Sequence, residues 1–205
     1  MVRLRDVTLR DGLQDVAPIP TDDKVELFEH LLSAGVIDME LTSFTRADRV
    51  PAMADADQLS QRVLAVSGQT RLWGLVLNLK GAERALAVGL RYLQFVLSVS
   101  EPHNLENAGR SVSASLDALA EIIELAGRTK IEGDGGGVQV EVTLATAFGC
   151  PFAGPVDPRQ VLDVVRQAQD FGVRRMTLAD TIGTAIPNGA SPQPDEAVSA
   201  ALSCR

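Results

Sequence analysis

Cysteine and histidine are scarce. The 205-residue sequence holds two of each, Cys150 and Cys204, His30 and His103. Neither pair has metal-ligand spacing, and no HxH or HExxH occurs, so no zinc site of the usual kinds can be read. Two distant cysteines exclude a disulfide framework and fit a reducing compartment. No apolar run is long enough to span a bilayer, and no leader precedes the first expected strand, so the expected location is cytoplasmic. Basic residues are outnumbered, 19 Lys and Arg against 27 Asp and Glu, for a formal net charge of −8. That balance disfavours nucleic acid or an anionic membrane as the main partner. It leaves room for an anionic small substrate, which a metal or a local arginine can hold. The single tryptophan, Trp73, reads as core or barrel lining rather than a base-stacking platform.

Strand and helix periodicities alternate along the chain. Val2 to Leu9 has the two-residue period of a strand. Thr21 is expected to cap a helix with Asp22 and Asp23 in its first turn, where carboxylates meet the positive end of the helix dipole. Val25, Phe28 and Leu32, with Leu27 and Leu31, form its apolar face, and Gly35 is its stop. Strands follow at Val36–Leu41, Leu72–Leu77, Tyr92–Val99, Val138–Ala145 and Val173–Ala179. Helices are expected at Ala52–Val66, Gly81–Val88, Ser111–Ala126 (stopped by Gly127) and from Asp157 and Pro158 to near Gly172. The run Gly133 to Gly137 lacks the ending of a phosphate loop and leads into a strand, so it reads as a linker.

Six strands alternating with helices predict a parallel α/β sheet. The chemically interesting residues, Asp11, Glu40, Asn78, Glu101, Cys150 and Asp180, follow strands, the edge where parallel folds bind ligands. No dinucleotide glycine fingerprint follows strand one, which favours an incomplete (β/α)8 TIM-type barrel of about six β/α units over an open nucleotide-binding sheet. The barrel domain is expected over 1–185. Periodicity ends after Ile186, and the Pro-rich stretch 186–205 is expected to be a loose, divergent tail on a truncated product.

The most informative segment is Leu9-Arg10-Asp11-Gly12-Leu13-Gln14. A carboxylate after a strand suits a hard divalent cation, and an adjacent arginine can clamp an oxyanion. On spacing alone, a salt bridge at a surface turn explains the pair about as well. Four further stretches follow in order: Met39-Glu40-Leu41-Thr42-Ser43-Phe44, Asn78-Leu79-Lys80-Gly81, Ala147-Phe148-Gly149-Cys150-Pro151-Phe152 and Asp180-Thr181-Ile182-Gly183. Together they resemble the 3-hydroxy-3-methylglutaryl-CoA lyase branch of the metal-dependent lyase and Claisen-type synthase barrels. Ser98 to Asn107 is similar to the family's loop after strand four.

The resemblance implies a retro-Claisen carbon–carbon lyase. It would split 3-hydroxy-3-methylglutaryl-CoA, or a related 3-hydroxyacyl-CoA, to acetyl-CoA and a keto acid (acetoacetate for the former). It implies a divalent cation, Mg²⁺ or Mn²⁺, with Asp11 as a ligand. Arg10 would neutralise the enolate oxygen, Glu40 would support the metal shell, and Asp180 would take part in proton transfer. Gln14, Asn78 and Lys80 would contact the acyl-CoA. An acyl-CoA substrate and a homodimer are the implied partners. The family's HxH pair, its Asn ligand and its reactive Cys loop have no counterpart in this sequence. Two other readings stay open: a Claisen-type synthase, against which Leu13 counts, and a non-catalytic fragment. Glu40 has a second reading, a buried carboxylate paired with Arg10. Cys150 reads as a packing residue, and His103 and His30 as a loop and a helix-surface residue.

Overall fold

The computed structural model describes residues 4–130 and 137–185. The chain divides into two compact units, one built from the first 94 residues with Thr129–Gln139, the other from Phe95–Arg128 with the residues from Val140 onward. Most of the expected glycine linker and the 186–205 tail lie outside the described residues.

The described residues of the first unit open on one parallel bridge, Asp6 to Met39. The start of the expected strand Val2–Leu9 lies outside the described residues, and its described part gives way to a turn at Thr8. Asp6 ends it, because its carboxylate accepts from the Thr8 backbone N–H at 3.0 Å and the Thr8 hydroxyl at 3.1 Å, a local turn that competes with strand pairing. A five-residue π-helical turn, Thr8–Gly12, follows. Then come α1 (Thr21–Ser33), β1 (Asp38–Ser43), a 3₁₀ turn (Pro51–Met53), α2 (Ala56–Leu64), β2 (Arg71–Val76) and α3 (Leu79–Ala87). Strand β3 (Tyr92–Ser98) gives its first residues to this unit.

Helix α1 differs from expectation at both its cap and its face. Pro20 occupies the cap position without a side-chain bond, and Thr21 instead donates to Asp55 at 2.8 Å. The buried positions are Phe28 and Lys24, the latter only 2% exposed. The Lys24 ammonium is satisfied by the Ala52 carbonyl at 2.6 Å and by Asp55. A buried charge is tolerated when paired in this way, and the pair ties α1 to the segment that opens α2. Gly35 and Gly89 carry φ values of 85° and 96°, left-handed conformations that only glycine adopts without strain.

The second unit takes the rest of β3, then α4 (Glu101–Ala108), α5 (Val112–Arg128), β4 (Gln139–Ala145), α6 (Pro158–Asp170) and β5 (Arg175–Leu178). The stretch expected to be a loop after Ser98 is the helix α4, so His103 is helical. Pro102 in its first turn and the left-handed Gly109 at its end bracket it. Gly127 does not stop α5, which runs to Arg128. Asp157 caps α6 as expected, accepting from the Arg159 N–H at 2.8 Å.

Strand order is β1-β2-β3 in the first unit and β3-β4-β5 in the second. Pairs β1/β2 and β4/β5 are parallel. Order follows sequence with no reversal, the winding of a β/α barrel rather than of a doubly wound open sheet. Five strands and the Asp6 bridge account for the six expected strand positions, and the fold is a partial β/α barrel.

Gly74 in β2 has no room for a side chain. A Cβ there would lie 2.8 Å from a Phe44 ring carbon and 2.9 Å from a Leu90 methyl. Gly74→Ala is expected to lower stability by roughly 1–3 kcal/mol through overpacking, read as a lower urea midpoint at unchanged slope. A midpoint equal to the parent chain's would show that Phe44 and Leu90 yield freely.

Candidate functional site

Three backbone N–H groups, those of Arg10, Asp11 and Gly12, converge on the Val7 carbonyl at 3.2, 2.8 and 3.1 Å. Buried Leu9 anchors the turn. π-helical turns recur at functional sites because the extra residue re-aims its neighbours. Here the turn sends Arg10 back toward β1. Its Nε donates to Glu40 Oε2 at 2.7 Å, and its Nη2 donates to the same oxygen. Its Nη1 donates to Asp11 Oδ1 at 2.6 Å and lies 3.5 Å from Gln14 Oε1. Arg10, Asp11, Gln14 and Glu40 are thus one cluster.

Glu40 sits inside β1 rather than beyond its end, with its side chain only 5% exposed. The pairing register with β2 slips between Glu40 and Thr42, an irregularity of the kind that re-aims side chains near sites. Asp11 differs in kind, with a side chain 59% exposed.

Asn78 and Lys80 belong to the start of α3. The Asn78 side chain caps that helix, accepting from the Gly81 N–H at 2.8 Å, and Lys80 is exposed. The local capping demand therefore uses the Asn78 carbonyl oxygen.

In the second unit, Asp180 follows β5. Its two carboxylate oxygens accept from the Thr184 N–H at 3.0 Å and the Ala185 N–H at 2.9 Å. These donors, the Ala185 N–H foremost, hold its carboxyl below the ordinary range. Cys150 is buried, and its sulfur accepts from the Ser100 hydroxyl at 3.0 Å and from the Phe152 and Ala153 N–H groups. Burial pushes its thiol up, but the Ser100 hydroxyl and the surrounding backbone N–H groups outweigh that and leave it lowered. His103 shares a 2.6 Å hydrogen bond with the Ser98 hydroxyl, and burial lowers its imidazole.

Sequence reasoning missed several polar groups. Thr146 adopts φ 59°, costly for a β-branched residue. It is held there by the Thr181 hydroxyl, which accepts from its N–H at 2.7 Å, and by its own hydroxyl accepting from Ser100 N–H at 3.2 Å. No sequence signal marks that conformation. Buried Asp38, with Arg5, Arg71 and Trp73 around it, had a signal. Asp38 and Glu40 are two apart in an apolar strand, and so are Arg71 and Trp73, which places each pair on one face.

The described residues do not by themselves fit a resident divalent cation. Among them no group of three or more His, Cys, Asp or Glu side chains is placed to hold a metal. Asp11 is a single carboxylate with one oxygen already bonded to Arg10, whereas hard cations take several oxygen ligands. Also among the described residues, no helix is long and apolar enough to cross a membrane.

The HMGL-like family model matches residues 1–199. The chain is 36% identical over 196 residues to the (R)-citramalyl-CoA lyase of Chloroflexus aurantiacus, covering 91% of this chain and 60% of that protein. It is 35% identical over 183 residues to the 3-hydroxy-3-isohexenylglutaryl-CoA/hydroxymethylglutaryl-CoA lyase of Pseudomonas aeruginosa, covering 89% of this chain and 58% of that protein. The structure of an HMG-CoA lyase from Acinetobacter baumannii in complex with coenzyme A and 3-methylmalate superposes with a TM-score of 0.80 at 34% identity, over 89% of this chain and 57% of that one. The chain therefore spans about 60% of the length of these relatives.

Two outcomes test the geometry. Glu40→Ala leaves Arg10 without its buried counter-charge and is expected to cost roughly 3 kcal/mol. Asp11→Ala removes an exposed partner and is expected to cost under about 0.5 kcal/mol. Equal urea midpoints for the two variants would contradict the burial difference. For Asp180, a folded-state pKa below the ordinary 3.8 means a contribution to stability that is present above the ordinary value. It is lost as pH falls through the lowered one. A ¹³C titration of its carboxyl should give a midpoint under 3.8. A midpoint at or above that value would mean the Ala185 and Thr184 bonds are not made in solution.

Proposed function

Because the chain belongs to the HMGL-like family, we propose that it carries the acyl-CoA-facing half of a retro-Claisen carbon–carbon lyase. The proposed substrate is 3-hydroxy-3-methylglutaryl-CoA or a related 3-hydroxyacyl-CoA, with citramalyl-CoA included on the strength of one relative. The products are acetyl-CoA and a keto acid. The observation that carries this reading is the Arg10 guanidinium, fixed by Glu40 at a π-helical turn beside Asp11 and Gln14.

Cleavage removes the proton of the 3-hydroxyl, breaks the neighbouring C–C bond, and leaves the electron pair on the acetyl-CoA enolate, spread onto its thioester oxygen. A cation preorganised at that oxygen stabilises charge that exists only in the transition state. Bonds to Glu40, Asp11 and Gln14 use four of the five N–H groups of Arg10, so one donor, on Nη2, remains for a ligand oxygen. Glu40 orients that guanidinium, and Gln14 adds an amide to the same side. Asp180 is proposed for proton transfer. It is ionised at neutral pH, the form that accepts a proton, though the Ala185 and Thr184 N–H bonds that lower its carboxyl also weaken it as a base. Lys80 is proposed to meet a CoA phosphate, beside an acyl-CoA-contacting Asn78. Asp11 is proposed as one oxygen ligand of Mg²⁺ or Mn²⁺. Such an ion needs further donors from outside the described residues.

A solved relative of this fold in complex with coenzyme A and 3-methylmalate supports the substrate class. The test is calorimetric titration of the chain with 3-hydroxy-3-methylglutaryl-CoA and citramalyl-CoA, alongside an acetyl-CoA release assay with Mg²⁺. Wild-type chain is expected to bind an acyl-CoA, and Arg10→Met to weaken binding by at least about tenfold while lowering any turnover by about 10²–10³. Thioester binding that ignores Arg10→Met would move the site elsewhere. Absence of thioester binding would turn the reading toward a non-catalytic fragment.

A further inference from the structure

Glu40 presents two oxygens, and Arg10 takes only one of them: Nε and Nη2 both bond Oε2. The other, Oε1, faces a second guanidinium, with Arg5 Nη1 at 3.9 Å. Arg5 is itself held on two sides. Its Nε donates to Asp38 Oδ1 at 3.2 Å, and its guanidinium carbon lies 3.9 Å from the centroid of the Trp73 ring. The Trp73 Nε1–H donates to that same Asp38 oxygen at 2.7 Å. The remaining Asp38 oxygen accepts from Arg71 Nε at 3.0 Å and from Arg71 Nη2. Asp38 and Glu40 are both buried, two positions apart on one face of β1, and Arg5 is the cation they share.

We propose that Arg5 is a positioning residue for Arg10, acting through Glu40. This inference rests on the reading of Arg10 as the group that faces the substrate. A carboxylate beside a lone arginine tends to turn both oxygens onto it in a two-pronged pair. Arg5 attracts Oε1 and so resists that rotation. Glu40 then meets Arg10 through one oxygen, along the Nε–Nη2 edge, and Nη1 stays directed to Asp11 and Gln14. Arg5 cannot follow Glu40 if the carboxylate turns, because Asp38 and the indole face fix its plane. Asp38 in turn has no slack, since both its oxygens carry donors from Arg5, Trp73 and Arg71. A lysine cannot reproduce the arrangement. Its point-charge ammonium has no planar face to lie on Trp73 and no second arm to reach Glu40 while bonding Asp38.

The experiment follows the Arg10 Nε–H resonance in the ¹⁵N-labelled full chain, identified by its loss in Arg10→Lys. In the parent chain this proton is expected to be slow to exchange with water. Arg5→Met and Arg5→Lys are both expected to shift the resonance and speed its exchange by about tenfold. The lysine variant keeps a cation beside Asp38, which protects the fold if the methionine variant loses it. Exchange within about twofold of the parent in a folded Arg5→Lys chain would overturn the proposal, because a residue that only supports the fold would leave Arg10 unmoved. Acyl-CoA titration of the same samples keeps the two readings apart. A parent chain with a protected Arg10 Nε–H and no thioester binding overturns the lyase reading and leaves the positioning by Arg5 standing. Thioester binding with an Arg10 resonance indifferent to Arg5 does the reverse.

Discussion

A carboxylate removed from water needs a cation with directed donors, and Glu40 is such a carboxylate, placed in the middle of β1. Its partner must arrive from the chain segment beside β1, which is the stretch bridged at Asp6. Continued strand geometry would alternate the side chains of Leu9 and Arg10 across two faces with no freedom in depth. The π-helical turn solves the problem by gathering three N–H groups on one carbonyl. Leu9 goes into the core, and Arg10 turns back to Glu40. Asp11 and Gln14 acquire their positions as consequences, since each touches the arginine that Glu40 has fixed.

A buried ion pair of this kind is a poor source of stability, because desolvating two charges offsets most of their attraction. What it supplies is direction. Arg10 is one of two guanidiniums facing Glu40, and Arg5 links that pair to Asp38, Arg71 and Trp73. The alternation of guanidinium and carboxylate leaves no described member of the set facing a like charge alone. The second unit reaches a comparable result with neutral groups. Ser100 follows β3, Thr146 follows β4 and Thr181 follows β5, and their hydroxyls and N–H groups bond one another around the left-handed Thr146.

Much of this arrangement is legible in the amino-acid sequence. The alternation of periods sets the strand–helix order, and the ordered motifs carry the family and the partial barrel. The pairing of Glu40 with Arg10 is legible too, because an acid in an apolar strand needs a counter-ion and the next motif upstream carries one. The departures have local causes. Asp6 shortens the first strand with a side-chain bond that a polarity pattern cannot register. Lys24 enters a helix face by pairing with an acid 31 residues away. Helix α4 stands in place of an expected loop, because Pro102, disruptive inside a helix, is harmless in its first turn. Asn78 suggests ligand chemistry by its place after a strand, yet the helix beside it also needs a cap. Thr146 leaves no trace in the sequence, since its strain is imposed by residues from two other loops.

The same logic explains why the described residues stop short of a metal centre while still fixing the Arg10 guanidinium. Glu40, Asp11 and Gln14 take four of the five N–H groups of Arg10, so it remains a cation with one donor to spare. Asp11 has the opposite condition: it is exposed, single, and already shares an oxygen with Arg10. Arg10 bonds only Oδ1 of Asp11, so a divalent ion would have Oδ2 to take, but among the described residues no group of three or more His, Cys, Asp or Glu is placed to complete its shell. On the proposed retro-Claisen reading, two demands would therefore be separated. Holding the developing enolate would fall to the Arg10 guanidinium, whose orientation is set from β1. Activating the hydroxyl through a cation would need donors that the described residues do not supply.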